Sequence, residues 1–205
     1  MSPEKNNERN IGLILLAAGE SSRLGHPKQL LLYGNRTFLQ HSLQIARASN
    51  AHPIVVVLGA YADTIRREIE SEDVHIVVNT DWQEGMASSI RYGVKTLVQI
   101  NPLAEGVILL PCDQPYITTV LLNSLITTHQ TSGKPIVACG YEDTFGPPVF
   151  FQRNLFPELL LLKGDVGAKG VVSQHVNEME VVLFPDGHID IDTEADYQDL
   201  SKKQP

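Results

Sequence analysis

The feature that most constrains this chain is an alternation of two kinds of segment. Short, almost continuously apolar runs lie at 11–17, 54–58, 76–78, 107–110 and 136–138, separated by longer stretches with apolar residues at helical spacing. A run without polar interruption has no face to offer water. It therefore suits a strand covered on both sides, as in a parallel sheet. The intervening stretches supply the cover. Residues 37–48 carry Phe38, Leu39, Leu43 and Ala46 at helical spacing, and 63–70 has Ile65 and Ile69 one turn apart. Residues 87–98 present Ile90, Val94, Leu97 and Val98, and 119–129 present Leu121, Leu122, Leu125 and Ile126. Repeated β-α units require right-handed crossovers and helices on both faces. The expected fold class is α/β: a three-layer α/β/α, Rossmann-like architecture on a mostly parallel sheet, with a small antiparallel C-terminal part. Beyond residue 140 the pattern loosens, and strands at 180–184 and 188–191 with a helix at 193–202 are expected to close it. Residues 1–10 are polar and mixed in charge and read as a disordered leader. Residues 11–205 read as a single domain, which suits a chain of 205 residues.

Charge narrows the function classes. Sixteen Lys and Arg against twenty-four Asp and Glu leave a formal charge of −8. A nucleic-acid backbone is ordinarily met by a basic surface, so that partner is disfavoured. One small polyanion stays compatible if local cations or a metal ion supply the attraction. No run reaches 18 apolar residues, so no transmembrane helix and no membrane partner are expected. The run at 11–18 is too short and badly placed for a signal peptide. Two cysteines, Cys112 and Cys139, make no disulfide framework, and two buried thiols fit a reducing cytoplasm. The seven histidines form no His-x-x-x-His or His-Glu-x-x-His zinc pattern.

In a sheet of this kind ligands bind beyond the carboxyl ends of the strands, so the segments after each strand carry the chemistry. The first strand runs into Leu16, Ala17, Ala18, Gly19, Glu20, Ser21, Ser22 and Arg23, then Leu24-Gly25-His26-Pro27-Lys28-Gln29. Small residues let the backbone approach a ligand, and free N–H groups cradle phosphate oxygens. Arg23 adds a forked donor and Lys28 a compact charge. A surface turn with two solvated cations is the plainer alternative. A phosphate-binding Gly-Lys-Ser/Thr loop, a Gly-x-Gly-x-x-Gly dinucleotide fingerprint and a Gly-x-Ser-x-Gly elbow are all absent here. After the third strand, Asn79 ends at the ligand edge, and Ser88 and Ser89 fall near a helix start, where unpaired N–H groups favour polar ligand atoms. A packed Trp82 and an N-cap serine would explain the same residues. After the fourth strand, Asp113 is placed to hold Mg²⁺ against phosphates, or merely to begin a turn before Pro115. Asp190 and Asp192 would share one face of a last strand, and Asp192 alternatively caps the helix that follows.

Three longer strings turn these readings into a resemblance. They are the loop with its Ala17-Ala18-Gly19 opening, Arg23-Leu24-Gly25 and Lys28-Gln29-Leu30-Leu31; Asn79-x-x-Trp82-x-x-Gly85-Met86-x-x-Ser89-Ile90; and Asp190-x-Asp192-Thr193. Together they resemble the molybdenum cofactor cytidylyltransferase family, nucleotidyltransferases of the glycosyltransferase-A-like superfamily. Leu24 stands where methionine is usual and Glu194 where proline is usual. Gly146-Pro147-Pro148 resembles the family's turn before an edge strand, and Gly164-Asp165-Val166-Gly167-Ala168-Lys169 its Gly-Asp-x-Gly-Ala-Lys segment.

The resemblance implies a nucleotide-diphospho-sugar transferase-like fold and transfer of CMP from CTP to molybdopterin, with release of pyrophosphate. It implies Arg23, Lys28 and Asp113 as catalytic groups, and Asp113 and Asp192 as ligands of Mg²⁺, with Mn²⁺ as a substitute. Leu16 to Arg23, Lys28, Asn79, Gly85, Ser88, Ser89 and Asp113 would bind nucleotide. Gly146, Pro148, Gly164, Asp165, Gly167, Ala168 and Lys169 would bind the acceptor, with a recipient molybdoenzyme as a transient partner. Three alternatives stay open: a GTP-dependent cofactor enzyme, a sugar-nucleotide pyrophosphorylase, and a non-catalytic carrier or chaperone for molybdoenzymes.

Overall fold

The computed structural model describes residues 10–70 and 73–202. The expected leader, apart from Asn10, lies outside the described residues. In chain order the elements begin with strand β1 (Ile11–Ala17), short strands β2 (Leu32–Tyr33) and β3 (Arg36–Thr37), helix α1 (Phe38–Ala48) and β4 (Ile54–Leu58). Then come α2 (Ala62–Arg67), β5 (His75–Val78), α3 (Met86–Ile100), β6 (Gly106–Pro111) and α4 (Thr119–Ser132). The last third holds β7 (Ile136–Tyr141), β8 (Thr144–Gln152), α5 (Phe156–Leu161), α6 (Lys169–Gln174), β9 (Met179–Leu183) and α7 (Glu194–Lys202).

Seven strands form one sheet in the order β5-β4-β1-β6-β8-β7-β9, and β2 pairs with β3 as a separate ribbon. Every neighbour pair in the large sheet is parallel except those made by β8, which runs antiparallel to both β6 and β7. Alternate residues of each buried strand feed opposite layers, as the pleat requires. Leu13, Leu15, Val56 and Leu58 join Leu39, Leu43, Leu122 and Leu125 of α1 and α4 on one side. Ile14, Val55, Val57 and Val107 join Ile90, Val94 and Leu97 of α3, Leu159 of α5 and Val171 of α6 on the other. Capping sharpens the helix starts. Thr37 Oγ1 accepts from Gln40 N–H at 3.2 Å while Gln40 Oε1 accepts from Thr37 N–H at 3.1 Å, a closed capping box.

A smaller cluster of Leu24, Leu31, Phe38, Ile191 and Leu200 seats α7 against the segment after β1. This packing matters for function, because it folds the C-terminal segment over the loop that follows the first strand. The chain leaves β1 toward β4 on one side and returns to β6 on the other. A crevice therefore opens between the carboxyl ends of β1 and β6, where the strand order reverses.

Two expectations need correction. Residues 188–191 form no strand. Pro185–His188 is a 3₁₀ turn, and 189–193 lack regular structure. Pro185 removes a ladder donor, and Gly187 lies so close to Tyr141 that a Cβ would fall 2.3 Å from its ring, so the chain bends there. Asp190 and Asp192 therefore do not share a strand face. Second, Gly146-Pro147-Pro148 is not a turn before an edge strand. It lies inside β8, which is interior, and β9 is the edge strand on that side of the sheet. The pairing with β7 steps from Ala138↔Val149 to Cys139↔Gly146, so an irregularity passes over the two prolines that cannot donate.

Candidate active site

A cleft of about 430 Å³ occupies the crevice. One wall is the end of β1 and its loop: Leu16, Ala17, Ala18, Gly19 and Glu20, with Lys28 and Gln29 returning beside them. The opposite wall is Pro111, Cys112 and Asp113 after β6. The stretch from Trp82 to Met86, with Ser89 and Asp165, closes the side.

Lys28 is the electrostatic centre. Its Nζ donates to Asp113 Oδ2 at 2.6 Å and to Asp192 Oδ1 at 2.9 Å. Arg23 Nη1 donates to the other oxygen of Asp192 at 3.1 Å. Exposure grades outward along this chain, from 16% for the Lys28 side chain and 19% for Asp113 to 38% for Asp192 and 70% for Arg23. Burial by itself would lower the Lys28 pKa, but the facing Asp113 and Asp192 more than offset it and hold the ammonium above the ordinary lysine value. Asp190 sits near the same charges. Burial first, then the like charges of Asp113 and Asp192, push its carboxyl upward.

Local structure explains how residues 85 and 164 positions apart in sequence meet Lys28. Ser21 takes the left-handed conformation (φ 57°), and its carbonyl accepts from the N–H groups of Leu24 and Gly25. Its hydroxyl accepts from Lys28 N–H at 3.0 Å, which fixes where the lysine leaves the loop. Ile191, almost fully buried, donates its N–H to the Asp113 carbonyl at 3.2 Å and so ties the C-terminal segment to the end of β6. The start of α7 is capped by a Thr193–Asp196 pair, with Asp196 N–H donating to Thr193 Oγ1 at 3.2 Å. Thr193 Oγ1 in turn donates to Asp196 Oδ2 at 2.7 Å. Capping thus falls to Thr193, and the Asp192 carboxylate is left to face the two cations.

Of the remaining expected residues, Gly85, Ser89 and Asp165 line this cleft. Asn79 and Ser88 are wholly buried behind it: Asn79 Nδ2 donates to Ser88 Oγ at 2.7 Å and to Ser89 Oγ at 3.0 Å. They brace the start of α3 from behind. Ser22 lies on the exposed outer side of the loop, outside the lining. Gly146, Gly167, Ala168 and Lys169 line a second, more apolar pocket of about 170 Å³ that shares Leu16 and Pro111 with the first. Pro148 and Gly164 line neither.

Sequence reasoning gave no site role to Gln29, Glu84 or Arg91. Arg91 grips Glu84 with both ends of its guanidinium, at 2.8 and 2.5 Å, and also donates to the Leu162 carbonyl at 2.6 Å. Gly164 N–H donates to Glu84 Oε1 at 3.3 Å, and Met86 N–H to Asp165 Oδ1 at 3.3 Å. These bonds dock the 162–165 segment on the start of α3. The lone signal in sequence was the i,i+7 spacing of Glu84 and Arg91, which is weak because the intervening turn breaks the helical register.

Asp113 and Asp192 are hard oxygen donors that converge on one cation, the donor chemistry a Mg²⁺ or Mn²⁺ takes. Among the described residues no group of three or more His, Cys, Asp or Glu side chains is arranged to hold a metal ion. A divalent ion here would need substrate oxygens and water to complete its shell, as Mg²⁺ commonly does.

A family model describing the MobA-like NTP transferase domain matches residues 13–179, which takes in the whole β1 loop, the α3 start and Asp113. The chain belongs to the MobA-like NTP transferase family. That membership supports transferase activity on a nucleotide. Among curated relatives, the nicotine blue oxidoreductase of Paenarthrobacter nicotinovorans is 30% identical over 78% of this chain and 80% of its own length. The purine catabolism protein PucB of Bacillus subtilis is 28% identical over 90% and 92%. Among solved structures, Rv0371c of Mycobacterium tuberculosis H37Rv superposes with a TM-score of 0.82 at 33% identity, covering 94% of this chain and 97% of that one. A structure of the same mycobacterial protein in complex with manganese gives 0.79 at 30% identity, covering 95% and 99%. No helix among the described residues of this MobA-like chain is long and apolar enough to cross a membrane.

Proposed function

We propose that the chain, as one nucleotidyltransferase domain over residues 11–205, transfers CMP from CTP to the phosphate of molybdopterin and releases pyrophosphate. The observation that carries the reading is the convergence of Lys28, Asp113, Asp192 and Arg23 at the mouth of a cleft walled by the β1 loop. In this reaction an acceptor phosphate oxygen bonds to the α-phosphorus of CTP, and the bond from that phosphorus to the bridging oxygen of pyrophosphate breaks. No covalent intermediate on the protein is needed. The protein's task is to align two anions and to neutralise charge growing on the transferring and leaving groups. Lys28, permanently cationic, faces the α-phosphate. Arg23, at the exposed rim, faces the departing pyrophosphate. Asp113 and Asp192 would hold a Mg²⁺ or Mn²⁺, whose chemistry when bound is to neutralise negative charge on phosphate oxygens. The manganese complex of the mycobacterial relative supports a divalent ion in this fold.

Preference for CTP rests on Ala18. Its methyl narrows the floor beneath the base and favours a pyrimidine, where a second glycine would suit the GTP-using branch. The apolar pocket beside the cleft, with Lys169 and Gly167 at its wall, is the seat assigned to the acceptor. A molybdoenzyme would then take the product, and the buried thiols suit the cytoplasm.

A second reading is favoured by the Paenarthrobacter relative, which is named an oxidoreductase. On that reading the cleft holds a nucleotide cofactor for electron transfer. Such a reaction needs no Lys28–Asp113–Asp192 centre. The test is a pyrophosphate-release screen of CTP, GTP, ATP and UTP, with molybdopterin and with simple sugar phosphates as acceptors. Release that requires CTP, molybdopterin and Mg²⁺ supports the proposal. Release with another base or acceptor reassigns specificity within the same chemistry, and no release with any pair rejects it.

A further inference from the structure

Gln29 follows Lys28 directly and has no part in the chemistry above. Its side chain is almost wholly buried, yet it borders the cleft. One amide nitrogen serves two backbone carbonyls at once: Nε2 donates to Ala17 O at 3.0 Å and to Gly19 O at 2.9 Å. These two acceptors fix the orientation of the amide, because the flipped form would set Oε1 against two carbonyl oxygens. The other end is the informative one. Gln29 Oε1 is buried and has no hydrogen-bond partner among the described residues. An unsatisfied buried acceptor is unfavourable. A leucine or methionine would fill this space without it, so it is the donor end that gives the residue its use.

The neighbouring carbonyls follow the same pattern. Ala18 O accepts from Ala60 N–H at 3.0 Å and Leu16 O from Cys112 N–H at 3.3 Å. Every carbonyl from Leu16 to Gly19 is thus engaged by the protein. In a trans peptide each N–H points opposite to the preceding C=O. With the Ala17, Ala18 and Gly19 carbonyls drawn into the protein, the N–H groups of Ala18, Gly19 and Glu20 are turned the other way. A carbonyl rotated outward would instead present lone pairs to any anion in the cleft.

We propose that Gln29 is a positioning residue that holds the Ala17 and Gly19 carbonyls inward, so that the loop meets the nucleotide's phosphates with N–H donors. The inference rests on the nucleotide reading of the cleft and deepens it. It separates two tasks in adjacent residues: Lys28 supplies charge, and Gln29 sets the polarity of the backbone that receives the charge.

The test compares the full-length wild-type chain with Gln29→Met, which keeps volume and loses the donor, and Gln29→Glu, which keeps shape and donates only when protonated. The readouts are thermal midpoint, backbone hydrogen exchange at residues 16–20 with and without CTP or inorganic pyrophosphate, and KM and kcat for CTP. In the wild type, CTP or pyrophosphate should protect the amides of Gly19 and Glu20. In Gln29→Met that protection should vanish, and KM for CTP should rise about tenfold, the factor one ordinary hydrogen bond is worth, with kcat within about threefold of wild type. The Gln29→Glu defect should shrink as pH falls and the carboxyl regains a proton, while the Gln29→Met defect stays constant. A folded Gln29→Met chain with wild-type KM and protection overturns the role of Gln29 and leaves the nucleotide reading standing. A wild-type chain that neither binds nor turns over any nucleotide overturns the nucleotide reading instead. If Gln29→Glu does not fold, Gln29→Met decides. If neither variant folds, the residue serves stability and the proposal fails.

Discussion

Replacing Lys28 by alanine should separate the two roles of that side chain. In the folded chain its ammonium lies between Asp113 and Asp192 and partly neutralises both, with Asp190 close enough to feel the pair. An exposed ion pair contributes about 0–1 kcal/mol, and removing one partner of a fully buried pair costs about 3–5 kcal/mol. Lys28 and Asp113 are mostly but not fully shielded from water, so a loss of about 1–3 kcal/mol in stability is expected. The effect on turnover should be larger. Loss of one electrostatic contact to a transition state commonly lowers rate by ~10²–10³. Since the native Lys28 pKa is raised above the unfolded value near 10.4, its stabilisation is complete below that value. It is lost only as pH rises through the still higher native pKa, so the stability difference should be flat from pH 6 to 9. Urea melts and pyrophosphate release at saturating nucleotide measure the two losses side by side. Adding Asp113→Asn to Lys28→Ala should restore part of the stability, because it removes the charge left unpaired, and should restore no turnover. A folded Lys28→Ala chain with undiminished transferase activity would refute the reasoning. So would a double variant that recovers activity along with stability.

Three further outcomes follow from the packing. Thr37→Ala opens the capping box of α1 and should cost about 1 kcal/mol in a denaturant melt, with turnover unchanged. Gly85→Ala places a Cβ 2.6 Å from Asp165 Cα at a φ of +110°, so it should cost about 1–3 kcal/mol and raise KM for the acceptor by pushing the 164–165 segment away. Burial pushes both cysteine thiols up to about 12, with Asp113 adding to the effect at Cys112. Neither thiol should alkylate in the native chain at pH 8, and both should react after unfolding. Because the unfolded thiols ionise first, near 8.5, stability should fall as pH rises beyond that value.

Much of the fold was legible because burial on both faces leaves a plain trace. β1 and β4 have the bounds that their unbroken apolar runs suggest. β8 was hidden because Gly146-Pro147-Pro148 reads as a turn, and it becomes a strand only through an irregular pairing with β7 that sequence does not display. The alternation His188-Ile189-Asp190-Ile191 imitates a strand, but the bend at Pro185–His188 directs it across the cleft mouth instead. The loop and its cations were readable from residue type. The meeting of Lys28 with Asp192 was not, since it depends on Ile191 and on Leu200 of α7 packing against Leu24, Leu31 and Phe38. The family resemblance implied only that Asp192 joins Asp113 as a metal ligand, not that it meets Lys28. Asn79 has the expected place at a strand end, but its side chain turns inward to two serines, a direction that no local pattern encodes.

The measurement that bears most directly on the central claim is the fate of the individual phosphates of CTP. With CTP labelled separately at the α- and γ-phosphates, molybdopterin and Mg²⁺ present, the α label should move onto the acceptor and the γ label should leave as pyrophosphate, one for one. Labels that stay together on CTP would contradict transfer.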